Sequence, residues 1–118
     1  MRSFFKPPVS LRNGFKDPKR MDAIHQIGCS ACKRAGVSQE YPTEAHHKIG
    51  MGLGLKASDR LTASLCDLHH NARFIKFDDR DKINSWAIHK TILEDWESKW
   101  GTQDQLIELT NEMLEHVS

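Results

Sequence analysis

Two pairs of residues, Cys29-x-x-Cys32 and Cys66-x-x-His69, have types and spacing suited to holding a metal ion. Side chains at that spacing can reach one ion from a single turn of chain. Zn2+ accepts three thiolates and one imidazole as a closed tetrahedral set. The two pairs use all three cysteines of the chain. With four protein ligands no coordination position is left for substrate, so Zn2+ held here is structural. The competing readings are ordinary buried small side chains, or a redox pair at Cys29 and Cys32. No βαβ pattern of the thioredoxin kind surrounds that pair, and an odd number of cysteines argues against a closed disulfide set.

Four of the seven histidines stand in two doublets, His46-His47 and His69-His70. If His69 is a zinc ligand, His70 is left over beside it. Neighbouring residues of a strand point to opposite faces, so His46 and His47 serve one site only if the chain bends locally. One arrangement uses all the parts: His46 and His70 bind a divalent ion, and His47 stands beside it as a general base. Phosphodiester hydrolysis needs such a set, because a metal neutralises charge on the phosphate and leaving oxygen while a base activates water. Imidazole suits the base role, since its ordinary pKa lies close to neutrality. A lone histidine is more often a core or surface residue; two doublets, one inside a zinc-like pair, favour a site.

The elements that must position these residues can be read along the chain. Residues 1–16, with Pro7, Pro8 and Gly14, read as an extended arm. Asp17 is a good N-cap and Pro18 a good first helical residue, so a helix is expected from there to Gly28, burying Met21, Ile24 and Ile27. A tight Cys29–Cys32 knuckle follows. Strands are expected in EAHHKI and LTASL, joined by the glycine-rich GMGLGLKASD, which lacks the Walker pattern and reads as a turn. A helix should begin just after Cys66 and carry His69 and His70. Another is expected over about 81–100 with Trp86, Ile88, Ile92, Leu93 and Trp96 on its apolar face. In the last helix Thr102 and Gln105 form a capping box, and Leu106, Ile107, Leu109, Met113 and Leu114 are its buried side. The 118 residues fit one α+β domain, over 17–118, whose modest core would benefit from a metal staple.

Net charge is only +1, but residues 1–20 hold six basic side chains against Asp17 alone. That end is suited to a phosphate backbone, with a solvated tail as the plain alternative. Arg2, Lys6, Arg12, Lys16, Lys19 and Arg20 are the candidate DNA contacts there, joined by Lys48 and Lys56, with Arg60, near the glycine loop. Such contacts carry no sequence information. Phe4, Phe5 and Phe15 could stack on unpaired bases, although aromatics of this kind more often pack on the domain. No apolar run approaches the ~20 residues of a membrane span, and a secretory pattern is missing, so an intracellular protein is expected.

The order CSAC … EAHHKI … SDRLTASLCDLHHNA resembles the HNH, or His-Me finger, nucleases. More narrowly it is similar to the phage RecA-dependent nuclease group that includes the Ref recombination-enhancement protein. The tail WAIHKTILEDWESKWGTQDQL shares that likeness, which spans roughly residues 17–115 and weakens over 73–85. The resemblance implies a ββα-metal core with a zinc knuckle and flanking helices, and a metal-dependent DNA endonuclease. His47 matches the base, His46 and His70 the ligands of a catalytic Mg2+ or another divalent ion. It further implies cutting of DNA carrying a RecA filament, in phage or prophage recombination in the bacterial cytoplasm. Two positions depart from the pattern. The middle Asn of HNH is missing, with Asp59 or Arg60 near its place. One turn beyond His70 stands Phe74, which leaves His89 to complete the ion's coordination, or to be a half-buried helix residue, with Asn71 a weaker alternative. His25 and His116 read as ordinary helix or surface residues. The competing function is a zinc-stapled module that binds DNA or protein without catalysis.

Overall fold

The computed structural model describes residues 9–12, 14–50, 57–73 and 86–117. Arg2, Lys6, Lys56, Phe74 and the first part of the expected 81–100 helix lie outside them. Five helices, one two-stranded sheet and two 3-10 turns are found among the described residues.

Helix α1 is Pro18–Ile24, and the Asp17 carboxylate caps it by accepting from the Arg20 N–H at 3.2 Å. It ends short of Gly28. The Gln26 and Ile27 N–H groups bond three residues back, to Ala23 and Ile24, so the chain tightens out of the α-helix. Ile27 is still buried. The cysteine knuckle is the start of a helix: Cys29 is the N-cap of α2, Ser30–Ala35, and its Sγ accepts from the Cys32 N–H at 3.4 Å. Gly36, in the left-handed region at φ 71°, closes α2 as a residue with a Cβ could not without strain. At the chain start, Val9–Leu11 form a 3-10 turn within the expected extended arm.

Strands β1, Thr43–His47, and β2, Thr62–Cys66, pair antiparallel with His46 opposite Ala63 and His47 opposite Thr62. All five residues of β2 are buried. In a two-stranded sheet, one edge of β2 must find its hydrogen bonds elsewhere. Side chains supply them. Ser30 Oγ donates to the Ser64 carbonyl at 2.7 Å, and the Ser64 N–H donates to Thr110 Oγ1 at 2.9 Å. Thr110→Val keeps the shape and strands the Ser64 N–H. We expect a loss of about 1–3 kcal/mol in denaturant unfolding, the cost of an unmade buried bond.

The chain turns from β2 directly into α3, Asp67–His70. The expected 81–100 helix is broken. Its described part is a 3-10 turn, Ile88–Lys90, followed by α4, Leu93–Trp100, with Ala87, Thr91 and Ile92 extended. Ile92, expected on the buried face, is 69% exposed. The break lets Ile88 and Trp96 both enter the core while the Trp96 indole donates to the Trp86 carbonyl at 2.7 Å. Helix α5, Gln103–Val117, starts on the expected capping box: the Thr102 N–H meets Gln105 Oε1 at 2.9 Å, and the Gln105 N–H meets Thr102 Oγ1 at 3.1 Å. The core runs through Cys29, Cys32, Ala63, Leu65, Cys66, Trp96, Trp100 and Leu106, so the cysteines sit inside it.

Candidate metal centres and the histidine–aspartate pair

Cys29 and Cys32 enter from the start of α2, Cys66 from the end of β2, and His69 from α3. All four are buried, and their ligand atoms lie within 4.8 Å of one another. His69 Nδ1 is 3.6, 3.5 and 3.2 Å from the sulfurs of Cys29, Cys32 and Cys66, and the Cys32 and Cys66 sulfurs are 3.8 Å apart. A zinc tetrahedron built from its usual bond lengths has edges of about 3.8 Å between sulfurs and about 3.6 Å from sulfur to nitrogen. The cluster therefore has the dimensions of a Zn2+ site. Burial pushes the Cys29 thiol up, but hydrogen bonds from Cys32 and Cys66 outweigh it and hold Cys29 low, while donating to Cys29 and Cys66 pushes the Cys32 thiol up. Trp86 and Trp100 pack on the His69 ring at 5.1 and 4.3 Å.

A second group joins His46 of β1, His70 of α3 and His89 of the 3-10 turn, again with ligand atoms within 4.8 Å. Their ring centroids are 4.9–5.3 Å apart. His89 is thus brought to the other two, while Asn71 merely ends α3. The His46 ring is buried. Its Nε2–H donates to Gln103 Oε1 at 2.8 Å, and its Nδ1 has no hydrogen-bond partner among the described residues. His70 Nδ1–H donates to Glu44 Oε1 at 2.7 Å, and Arg73 holds the other Glu44 oxygen at 2.6 Å. A ring fixed through one nitrogen and bare at the other is the usual state of a metal-ligating histidine. The donor set fits a divalent ion.

Burial, then the neighbouring His70, His89 and His47, lowers His46 to about 3, and burial with His70 and Lys90 lowers His89. Burial pushes Glu44 up, but His70 and Arg73 overcome it and hold it low. An unfolded chain takes up these protons sooner than the folded one as pH falls. Stability is therefore fully present above about 6.5, His46's ordinary value, and is lost as pH falls toward 3. Urea midpoints measured between pH 7 and pH 4 should fall steadily.

His47 lies on the other face of β1, outside this trio. Its Nε2–H donates to Asp59 Oδ1 at 2.7 Å. The other Asp59 oxygen accepts the Asp17 N–H at 2.8 Å, and the Asp59 N–H donates to the Phe15 carbonyl at 2.9 Å. Burial raises Asp59, but His47 and the Asp17 N–H outweigh it and hold the carboxyl low. Of the two candidates for the middle position, Asp59 is the one on His47; Arg60 pairs with Asp17 at 3.3 Å.

Residues 15–115 match the family described as recombination enhancement, RecA-dependent nuclease. The chain belongs to this RecA-dependent nuclease family. The matched span holds all three cysteines and every histidine but His116. No curated protein and no solved structure matches the chain.

In this nuclease, an enzyme of DNA recombination by its family, the candidate DNA contacts differ in exposure and in the bonds they make. Arg12, Lys16 and Lys19 are exposed. Arg20 is used within the fold, donating to Thr62 Oγ1, the Thr62 carbonyl and Asn111 Oδ1 at 2.8, 2.6 and 2.7 Å. Lys48 pairs with Asp104 at 2.7 Å. His25 donates to the Thr43 carbonyl, and His116 is exposed on α5. Among the described residues, no helix of the nuclease is long and apolar enough to cross a membrane. Sequence reasoning missed Glu44 and Gln103. Glu44 carried a faint signal, two residues before His46 and so on its face; Gln103, 57 residues from His46, carried none.

Proposed function

We propose that the chain is a metal-dependent DNA endonuclease of the HNH type. The β1–β2 hairpin and α3 would be its ββα core, Cys29, Cys32, Cys66 and His69 its structural zinc site, and His46, His70 and His89 the ligands of a catalytic ion. The carrying observation is the trio of imidazoles from three separate elements, with a buried His46 nitrogen left bare; the next residue of β1, His47, is held by the Asp59 carboxylate.

His46, His70 and His89 would hold the divalent ion, which would supply positive charge to offset that of the phosphate in the reaction. The rest is done by the chain. Asp59 accepts the Nε2–H of His47, which leaves Nδ1 to take a proton from water. The water oxygen bonds to phosphorus as the bond to the departing sugar oxygen breaks. Asp59 then steadies the imidazolium formed on His47. Three nitrogen ligands suit Mn2+, Co2+, Ni2+ or Zn2+ better than Mg2+, which prefers oxygen. Residues 1–16 serve as a basic arm on DNA and 17–118 as the nuclease domain. RecA-coated DNA is the substrate, a reading that the family's description as a RecA-dependent nuclease supports, and phage recombination is the proposed setting.

The test is nicking of circular single- and double-stranded DNA with and without Mg2+ or Mn2+, each with and without a RecA filament. Metal-dependent cutting that needs RecA is expected. Absence of cutting under every condition, with zinc still bound, would replace this reading by the non-catalytic binding module.

A further inference from the structure

We propose that Gln103 is a positioning residue, fixing the His46 ring in the tautomer that leaves Nδ1 bare for a divalent ion. This deepens the proposed catalytic site and rests on its reading of His46, His70 and His89 as ion ligands.

The orientation of the Gln103 amide is set by groups that cannot exchange roles. The Ile49 N–H donates to Gln103 Oε1 at 2.9 Å, and Gln103 Nε2 donates to the Ile49 carbonyl at 2.9 Å. A backbone N–H can only donate and a carbonyl can only accept. The amide therefore cannot flip, and the atom facing His46 Nε2 is an oxygen. Only the tautomer protonated at Nε2 satisfies that oxygen. The other ring nitrogen, Nδ1, keeps its lone pair, is buried, and is without a partner among the described residues. Gln103 is itself 3% exposed, and its own N–H is tied to Glu97 Oε2 at 2.8 Å. The start of α5 is thereby docked on the exit of β1, with Lys48 and Asp104 paired beside it. His70 is held in the same manner by Glu44. The two supports differ in charge: a carboxylate behind His70, a neutral amide behind His46. The neutral one sits on the more buried ring, where a second anion would be costly to bury.

The experiment uses the zinc-loaded full chain with histidine nitrogens labelled with 15N. Long-range proton–nitrogen spectra read the His46 tautomer, and Mn2+ titration reads affinity at the trio. Wild type should show His46 protonated at Nε2. Gln103→Leu should mix the tautomers and weaken Mn2+ binding by about 10–100-fold, the usual cost of losing a ligand's support, with zinc content unchanged. Gln103→Glu still accepts from Nε2–H, so it should keep the tautomer and bind Mn2+ more tightly than Gln103→Leu. If Gln103→Leu fails to fold, the wild-type spectrum and Gln103→Glu still decide. A His46 protonated at Nδ1 in wild type overturns the proposal, as does a trio that binds no Mn2+ or a Gln103→Leu that binds it like wild type. If Mn2+ binding and tautomer follow Gln103 in a chain that never cuts DNA, the endonuclease reading fails and this inference stands.

Discussion

His47→Ala is expected to lower DNA cutting by about 10²–10⁴-fold, the range for losing a general base, while zinc content and DNA binding stay at the wild-type level. The ring is partly exposed and at the last position of β1, so its removal opens no core cavity. Asp59 keeps the Asp17 N–H on its other oxygen, which limits the cost to the fold. Single-turnover nicking rates give the measurement. The Asp59 partnership adds a sharper test. Asp59→Ala should slow cutting less than His47→Ala does, and the double variant should be no slower than His47→Ala alone, because residues acting as one unit are not additive. Losses that multiply would mean that Asp59 acts elsewhere. A His47→Ala chain that cuts normally would remove the base assignment altogether.

Cys66→Ala is expected to unfold the protein at neutral pH. A structural zinc site of this class contributes about 10–16 kcal/mol, against about 5–15 kcal/mol for the net stability of a whole domain. Cys66 also joins β2 to α3, so its loss frees both His69 and the end of the hairpin. Circular dichroism should lose its cooperative transition, and bound zinc should fall from one ion per chain to none. Tryptophan emission gives a second readout, because Trp86 and Trp100 lie on the His69 ring. A chain that kept a cooperative transition without zinc would show that the apolar core suffices.

The cluster of three cysteines and His69 was legible in the sequence because its parts are local. Each pair spans one turn of chain, and Cys66 through His70 pass from strand to helix without a gap. The hairpin was legible for a related reason: Thr43–His47 and Thr62–Cys66 overlap the two stretches expected as strands, with ends that differ by one or two residues. The second group was only partly so. His46 and His70 came from the doublets, and His89 by elimination. Gln103 and Glu44 are ordinary polar residues whose role exists only after distant elements pack. The broken helix before Trp100 failed for a different reason. Trp86, Ile88, Ile92, Leu93 and Trp96 hold a helical rhythm, but tertiary packing overrode it. Ile88 and Trp96 are both in the core, and His89 is at the other imidazoles, with the chain unwound between the 3-10 turn and α4.

The four residues of α3 hold His69 and His70 side by side, so on the proposed reading one short anchor serves two ions of unequal grip. A mild chelator should silence cutting while the chain stays folded, and added Mn2+ should restore it. A chelator strong enough to take the thiolate-held ion pulls out the anchor itself, and activity then leaves together with the fold. In a cell short of zinc, newly made chains would pass no half-competent stage: supply of the ion that never touches DNA would act as an all-or-none licence for the cut.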